Sequence, residues 1–278
     1  MRYGVFLPPF DELADARVLA GLAARAEAAG WDGVFLWDHV LYRAPVVAIV
    51  DPWISLAAMA ATTRRVKIGA LVTPLARRRP WIVARQALTL DHLAEGRLVL
   101  GAGLGTDRSG RELSAFGEEL DDHRRAAMLD EALALIQQLL SGERVNYQGR
   151  HFLADEVRMR PRPYGDRLVP VWMAAVWPHL RPVRRALHYQ GLFLIGTDRP
   201  ADVARVAEIV SEERTRTDDF DLVVEGGPED DPAPMEASGA TWWLVGFDPF
   251  TLQRRAVEAV IDRGPPWSSR VSEHPSGR

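Results

Sequence analysis

Eight short apolar runs with β-strand character alternate along this chain with eight runs of helical periodicity. The alternation predicts a parallel sheet, because two parallel strands need a long crossover between them, usually a helix. The second strand run, residues 33–37, is apolar throughout, which is typical of a strand covered on both faces. Eight such units in 278 residues favour a single-domain α/β fold, the (β/α)8 TIM barrel. The pattern alone also allows a doubly wound open sheet.

The predicted elements form a barrel domain over residues 1–267, followed by a polar tail at 268–278. Between the fourth helix and the fifth strand, residues 141–168 are predicted to form an irregular excursion, because Pro161 and Pro163 block a long helix. Strands are predicted at residues 3–7, 33–37, 67–72, 97–101, 169–174, 191–195, 220–224 and 241–245. Helices are predicted at residues 13–29, 52–62, 81–93, 123–140, 180–189, 200–215, 235–238 and 249–263.

Composition excludes several classes of protein. The chain has no cysteine, which excludes disulfides, thiolate nucleophiles and cysteine-bound metals. The net charge of −4 argues against nucleic acid or an anionic membrane as a partner. No apolar stretch reaches the ~18 residues of a membrane span, and the first apolar run is too short for a signal peptide, so we expect a cytoplasmic protein. The histidines lack metal-ligand spacing, and no metal site is predicted.

In a TIM barrel the C-terminal ends of the strands face one mouth, where catalytic residues collect. Asp38 and His39 at the end of the second strand are the candidate catalytic residues, because an imidazole exchanges protons near neutral pH and a neighbouring carboxylate orients a ligand or the ring. The alternative interpretation is a helix-capping Asp38 and a surface His39. The predicted strand ends are Leu7-Pro8, Trp37-Asp38-His39, Val72-Thr73, Gly101-Ala102-Gly103, Ala174-Ala175, Ile195-Gly196, Glu225-Gly226 and Gly246-Phe247.

Two further features near the strand ends are less specific. Gly101 and Gly103 are candidate cofactor-binding residues, because glycine lets backbone N–H groups approach a phosphate. They also suit a tight strand exit, and they lack the spacing of a P-loop or a dinucleotide fingerprint. The basic run Arg77, Arg78 and Arg79 could attract an anionic group, but a solvated surface is the favoured interpretation.

Cofactor-free catalysis is not favoured by the sequence. A barrel lyase or isomerase would need a catalytic lysine or paired carboxylates at the strand ends. Lys67, the single lysine of the chain, begins the third strand at the opposite end of the barrel, which argues against a Schiff base. A serine hydrolase is not indicated either, because no glycine–serine pattern forms a nucleophile elbow.

A series of short motifs in fixed order covers nearly the whole chain. They are GWDGVFLWDH at 30–39, DPW at 51–53, KIGALVTP at 67–74, ARQALTLD at 84–91, EGRLVLGAG at 95–103, FG at 116–117, RP at 160–161, VPVW at 169–172 and GATWW at 239–243. Each motif is loose, but their order is specific. Together they resemble the bacterial luciferase-like monooxygenase superfamily of flavin- and F420-dependent oxidoreductases.

The resemblance implies an α/β barrel that binds FMN, or alternatively the deazaflavin coenzyme F420, at the strand ends. It implies a bulge with a non-prolyl cis peptide among Leu71, Val72 and Thr73 that supports the cofactor ring. Asp38 and His39 correspond to positions beside that ring, where the histidine acts on substrate protons. The implied phosphate-binding residues, at the exits of the fifth and sixth strands, are Ala174, Ala175, Ile195 and Gly196.

The implied function is that of a flavin-dependent oxidoreductase or monooxygenase, in which hydride moves through a flavin-type ring and some members activate oxygen. One alternative is an F420-dependent dehydrogenase or reductase. A second is a degenerate flavin-binding barrel without turnover, because alanines at 174–175 stand where many relatives carry glycine. The implied partners are a small organic substrate, a second copy of the chain in a homodimer and, in one version, a separate flavin reductase.

Overall fold

The computed structural model describes residues 1–266, so Trp267 and the predicted tail at 268–278 lie outside the described residues. The strands in this range are β1 Arg2–Leu7, β2 Gly33–Leu36, β3 Lys67–Ala70, β4 Thr73–Pro74, β5 Leu100–Gly103, β6 Arg144–Gln148, β7 Leu153–Arg158, β8 Val171–Val176, β9 Gly191–Ile195, β10 Asp221–Gly226 and β11 Trp242–Gly246. The α-helices are α1 Ala16–Ala28, α2 Pro52–Thr62, α3 Pro80–Leu93, α4 Asp122–Leu140, α5 Leu180–Ala186, α6 Pro200–Glu213, α7 Ala233–Ala237 and α8 Arg254–Arg263.

The main sheet is a nearly closed parallel barrel. Within residues 1–266 its nine strands lie in the order β3-β2-β1-β11-β10-β9-β8-β5-β4. The two ends of the sheet meet because Ile68 of β3 forms a parallel bridge with Leu98, just before β5. This arrangement confirms the predicted TIM barrel and excludes the open doubly wound sheet.

The excursion between α4 and β8 is more regular than predicted. Strands β6 and β7 pair in antiparallel fashion and form a hairpin, so the prediction of irregular structure is wrong for these segments. Their side chains are mostly exposed and polar, which leaves no clear apolar alternation in the sequence. The turn is held from outside: the Glu131 carboxylate on α4 accepts hydrogen bonds from the backbone N–H groups of Arg150, His151 and Phe152.

The last helix begins later than predicted. Helix α8 starts at Arg254, whereas the apolar pattern predicts a start at residue 249. The Asp248 carboxylate accepts hydrogen bonds from the backbone N–H of Phe250 at 2.9 Å and from the hydroxyl of Thr251 at 3.2 Å. These local bonds stabilise a turn that competes with the first turn of a helix.

The core has two layers, one inside the barrel and one between the sheet and the helices. On β10, Val223 belongs to the inner cluster, whereas Leu222 and Val224 belong to the outer one. Side chains alternate between the two faces of a strand, so Glu225 at the end of β10 shares the inward face with Val223. No helix within residues 1–266 combines the length and the apolar composition that crossing a bilayer requires.

Helix α2 begins beside the barrel mouth. The Asp51 carboxylate caps it by accepting a 2.8 Å hydrogen bond from the backbone N–H of Ile54, and Pro52 occupies the first turn. This start places the Trp53 indole over the end of β2, where Nε1 lies 3.3 Å from Oδ2 of Asp38.

Candidate active site

Asp38 is the buried anchor of the site at the end of β2. Its Oδ1 atom lies 3.0 Å from Nη2 of Arg77, and its Oδ2 atom lies 3.1 Å from Nη1 of Arg78. Arg77 also donates to the Asp38 backbone carbonyl at 3.2 Å. Both carboxylate oxygens therefore accept hydrogen bonds from side chains, Oδ2 also from Trp53. Asp38 caps no helix of the described chain, and its geometry suits a group that holds its neighbours in place.

His39 pairs with a carboxylate that sequence reasoning missed. Its Nδ1 atom lies 2.9 Å from Oε1 of Glu112, whose side chain is only 1% exposed. Oε2 of Glu112 accepts hydrogen bonds from Nη1 of Arg77 at 2.5 Å and from the backbone N–H of Val40 at 3.1 Å. Because a carboxylate can only accept, Nδ1–H of His39 is the donor in this pair, and Nε2 is the ring nitrogen that does not face Glu112.

The pKa of Glu112 lies below its ordinary value. Burial alone raises this pKa, but the hydrogen bonds from His39 and Arg77 and the electrostatic attraction of these two side chains outweigh the burial. Two carboxylates, Asp38 and Glu112, thus face two guanidiniums, Arg77 and Arg78, around one imidazole. The charges of these four side chains balance, so they hold the His39 imidazole in place without leaving a buried charge unpaired.

Glu112 comes from the loop between β5 and α4, and that loop docks on the segment after β2. The Asp107 carboxylate accepts hydrogen bonds from the backbone N–H groups of Leu113 and Ser114, each at 2.9 Å, which shapes the turn that carries Glu112. The backbone N–H of Arg43 donates to the carbonyl of Ser109 at 2.7 Å. A Cβ atom at Gly110 would lie 2.7 Å from Cα of Tyr42, so the loops approach more closely than a side chain permits.

The interpretation of the arginine run as solvated is wrong for two of its three residues. The side chains of Arg77 and Arg78 are 7% and 20% exposed, respectively, because both turn inward to Asp38. Arg78 also stacks on Trp53, with its guanidinium carbon 5.2 Å from the ring centroid. Only Arg79 is exposed. The sequence around these arginines does not show that carboxylates from other parts of the chain pair with them in the fold.

A cavity of about 520 Å³ lies beside this network. His39, Arg77, Arg78 and Glu112 line it, together with residues from the start of α2 and from the loop before α4. On another side the imidazole packs against Tyr42, with ring centroids 5.0 Å apart, and more loosely against Phe10 and Trp37. The imidazole therefore has one apolar side and one side open to a ligand.

The segment after β3 has the backbone form that the resemblance implies. The peptide between Leu71 and Val72 is cis and does not involve proline. Leu71 and Val72 pack on the inner cluster of the barrel. Thr73 is buried, and its hydroxyl has no hydrogen-bond partner within the described chain. Whether these residues bind a cofactor stays a prediction.

Gly101 and Gly103 allow β5 to pack closely against this segment. A Cβ atom at Gly101 would lie 2.1 Å from the carbonyl oxygen of Ala70. One at Gly103 would lie 2.4 Å from Cγ2 of Val72 and 3.5 Å from Cβ of Ala174. The absence of side chains at these two positions lets Val72, and more loosely Ala174, lie directly against the β5 backbone at the floor of the mouth.

The predicted phosphate-binding residues lie at the exits of β8 and β9 but face different ways. Ala174 and Ile195 are half-buried, and Ile195 packs on the inner cluster, so both belong to the mouth. The Ala175 side chain packs in the outer layer and contributes only its backbone to the exit. Gly196 is exposed, with φ of +77°, a conformation that favours glycine.

Glu225 is a second acidic residue, after Glu112, that was not predicted from the sequence as a site residue. It ends β10 on the inward face and is half-buried. Burial raises its pKa to about 7. The sequence places it at a strand end, but a single carboxylate without a neighbouring acid or base gave no reason to choose it.

Comparison with known proteins shows the family to which this chain belongs. The family model described as luciferase-like monooxygenase matches residues 1–233. An F420-dependent glucose-6-phosphate dehydrogenase from Beutenbergia cavernae is 33% identical over 269 residues, covering 89% of this chain and 77% of that protein.

Solved structures share the fold. An F420-dependent secondary alcohol dehydrogenase superposes with a TM-score of 0.79 at 18% identity, covering 95% of this chain and 98% of the other. A monooxygenase from Streptomyces bottropensis superposes with a TM-score of 0.77 at 16% identity, covering 99% of both chains. The chain belongs to the luciferase-like monooxygenase family, and this membership makes it an oxidoreductase.

Proposed function

We propose that this protein is an F420-dependent dehydrogenase or reductase that interconverts an organic alcohol and its carbonyl compound. The observation that carries the proposal is the His39–Glu112 pair at the mouth of a luciferase-like barrel. The similarity to the Beutenbergia cavernae enzyme supports F420 over FMN, the cofactor expected first from the sequence. The likeness to the Streptomyces bottropensis monooxygenase concerns the fold alone.

The residues of the mouth fit a flat tricyclic cofactor. The floor around Gly103 is apolar, because Val72 and Ala174 lie against this glycine. The Thr73 hydroxyl is a buried polar group that lacks a partner. We infer that Leu71, Val72 and Thr73 would hold the ring, while backbone groups of Ala174, Ala175 and Gly196 would hold the phosphate tail. When bound, F420 supplies the hydride acceptor for oxidation of an alcohol.

His39 moves the proton of the reaction. As the alcohol carbon loses hydride, Nε2 of His39 accepts the hydroxyl proton, and the C–O bond becomes a carbonyl. In the reverse direction the same nitrogen returns the proton to the carbonyl oxygen. The buried Glu112 carboxylate orients the ring through Nδ1 and stabilises the imidazolium that forms.

Asp38 acts as a positioning residue in this scheme. Its oxygens accept hydrogen bonds from Arg77, Arg78 and Trp53, which leaves them poorly placed to exchange a proton with a substrate. Its role is to hold Arg77, which in turn holds Glu112. The proposed assignment therefore gives proton transfer to His39 and geometry to Asp38.

Cofactor binding is the direct test of this proposal. Purified protein is titrated with F420 and separately with FMN, and the change in cofactor fluorescence gives each Kd. We expect saturable binding of F420, tighter than that of FMN. Binding of FMN alone would support the flavin version of the function, and binding of neither would overturn the proposal.

A variant then tests the role of His39. We expect His39→Asn to lower kcat for oxidation of glucose 6-phosphate, isopropanol or cyclohexanol, whichever is turned over, by about 10²–10⁴-fold, while the F420 Kd changes little. His123→Asn, on the exposed first turn of α4, is the matched control.

The homodimer and the separate flavin reductase stay predictions, and the F420 version of the function does not require the reductase.

A further inference from the structure

Away from the His39 network, the described wall of the barrel mouth combines several apolar side chains with the carboxyl group of Glu225. Trp37, Val72 and Ile195 pack on the inner cluster at the ends of their strands. Ala174 adds a methyl group beside Val72 and Gly103. Glu225 ends β10 on the same inward face, and it is an acid among these apolar side chains.

Glu225 has no partner within residues 1–266, since its side chain forms neither a hydrogen bond nor an ion pair with the described chain. On the adjacent strand β11, Glu225 pairs in register with Leu244, and a Cβ atom at Gly246 would lie 3.8 Å from Oε2 of Glu225. Carboxyl groups elsewhere in the site accept several hydrogen bonds, as Asp38 and Glu112 do. A half-buried acid without a donor is costly, and such groups concentrate where a ligand completes them.

The position of β10 places this acid opposite the predicted cofactor residues. In the ring of strands, β10 lies four places from β3, so Glu225 faces the segment of Leu71 and Val72 across the barrel. An organic substrate bound in the mouth would lie between these two walls. Its apolar part would then face Trp37 and Ile195, and its far side would face Glu225.

We propose that Glu225 is a specificity-determining residue that accepts a hydrogen bond from a hydroxyl or protonated amine of the substrate. The inference rests on the proposed function and narrows it to apolar alcohols that carry a hydrogen-bond donor away from the reacting carbon. A phosphate or carboxylate at this position would bring a second negative charge against an apolar wall, which disfavours anionic substrates. Burial supports the assignment, because it raises the pKa of Glu225 and a bound donor would stabilise the ionised form.

The test compares three probes that share one ring and differ in one group: cyclohexylamine, cyclohexanol and cyclohexanecarboxylate. Calorimetric titration at about pH 8 gives the Kd of each for the F420-loaded protein. We expect cyclohexylamine to bind at least about tenfold more tightly than cyclohexanecarboxylate, with cyclohexanol between them. Glu225→Gln should remove most of this preference. Glu229→Gln, whose carboxylate is 79% exposed just beyond the same strand, should retain it.

The outcomes separate this inference from the proposed function. Failure of F420 to bind refutes the proposed function, and the same titrations on protein without F420 then still test Glu225. An unchanged preference in Glu225→Gln overturns the inference, as does the absence of binding by all three probes. Weaker F420 binding by Glu225→Gln with unaltered probe binding also overturns it, because the carboxyl would then belong to the cofactor site.

Discussion

Removal of the Arg77 guanidinium is the most direct test of the charge network beneath His39. In Arg77→Met the side chain keeps most of its volume, but Glu112 loses its 2.5 Å partner and Asp38 loses a 3.0 Å partner. Both carboxylates are at most 4% exposed, so water cannot replace the lost donors. Breaking a buried pair costs about 3–5 kcal/mol. Because the bonds from His39 and Arg78 remain, we expect a loss of unfolding free energy of about 3 kcal/mol.

The loss of unfolding free energy in Arg77→Met should grow as the pH rises. In the wild type the pKa of Glu112 is lowered, so its contribution to stability is present above the unfolded pKa and is lost as the pH falls. Without Arg77, part of the lowering of this pKa is lost while burial remains, so the variant gains less stability than the wild type as the pH rises. Urea denaturation followed by tryptophan fluorescence at about pH 5 and pH 8 measures both values.

Arg79→Met is the matched control, because Arg79 belongs to the same run but is exposed. It should change the unfolding free energy by no more than about 0.5 kcal/mol. If Arg77→Met were as mild as Arg79→Met at both pH values, the network would not stabilise the fold, and the role assigned to Arg77 would be refuted.

Three further predictions concern the barrel. The pKa of Glu225 is raised to about 7 from its ordinary 4.5, so its stabilising contribution is present below pH 4.5 and is lost towards pH 7. Urea titrations should therefore show Glu225→Gln gaining about 2 kcal/mol on the wild type between pH 5 and 8, and parallel curves would refute the raised pKa. The Arg97 guanidinium donates to the Thr63 hydroxyl and to three backbone carbonyls, so Arg97→Met should cost about 2–4 kcal/mol by thermal denaturation; a loss below about 1 kcal/mol would contradict this. Gly101→Ala places a methyl group 2.1 Å from the Ala70 carbonyl and should cost more than about 3 kcal/mol, with a normal melting curve as the contrary result.

The fold was predictable because each strand and helix carries its own local signal. Continuous apolar runs marked the barrel strands, and their order predicted the mouth and placed Asp38 and His39 there. The cis peptide at Leu71-Val72 was predicted by resemblance and not by any local pattern. The hairpin of β6 and β7 was missed because its side chains are mostly exposed and polar, and because its turn is held by Glu131 on the preceding helix.

The partners within the site were not predictable in the same way. Glu112 lies 73 residues from His39 in the chain, inside an irregular loop, and nothing near it in the sequence distinguishes it from a solvated acid. Arg77 and Arg78 looked like surface charges because their carboxylate partners come from another strand end. Ion pairs between residues far apart in the sequence produce no periodic sequence pattern, so they are recognised only in the folded chain.

The close contact between the loops after β2 and β5 constrains how this barrel can be altered. The backbone N–H of Arg43 donates a hydrogen bond to the carbonyl of Ser109, and Gly110 lies directly against Tyr42. The conformation of each loop therefore depends on the other. Grafting a foreign loop after β2 to accept another substrate would also displace the segment that carries Glu112. Engineers of this scaffold would therefore need to exchange both loops together, or alter specificity from the other wall of the mouth, where β9 and β10 end.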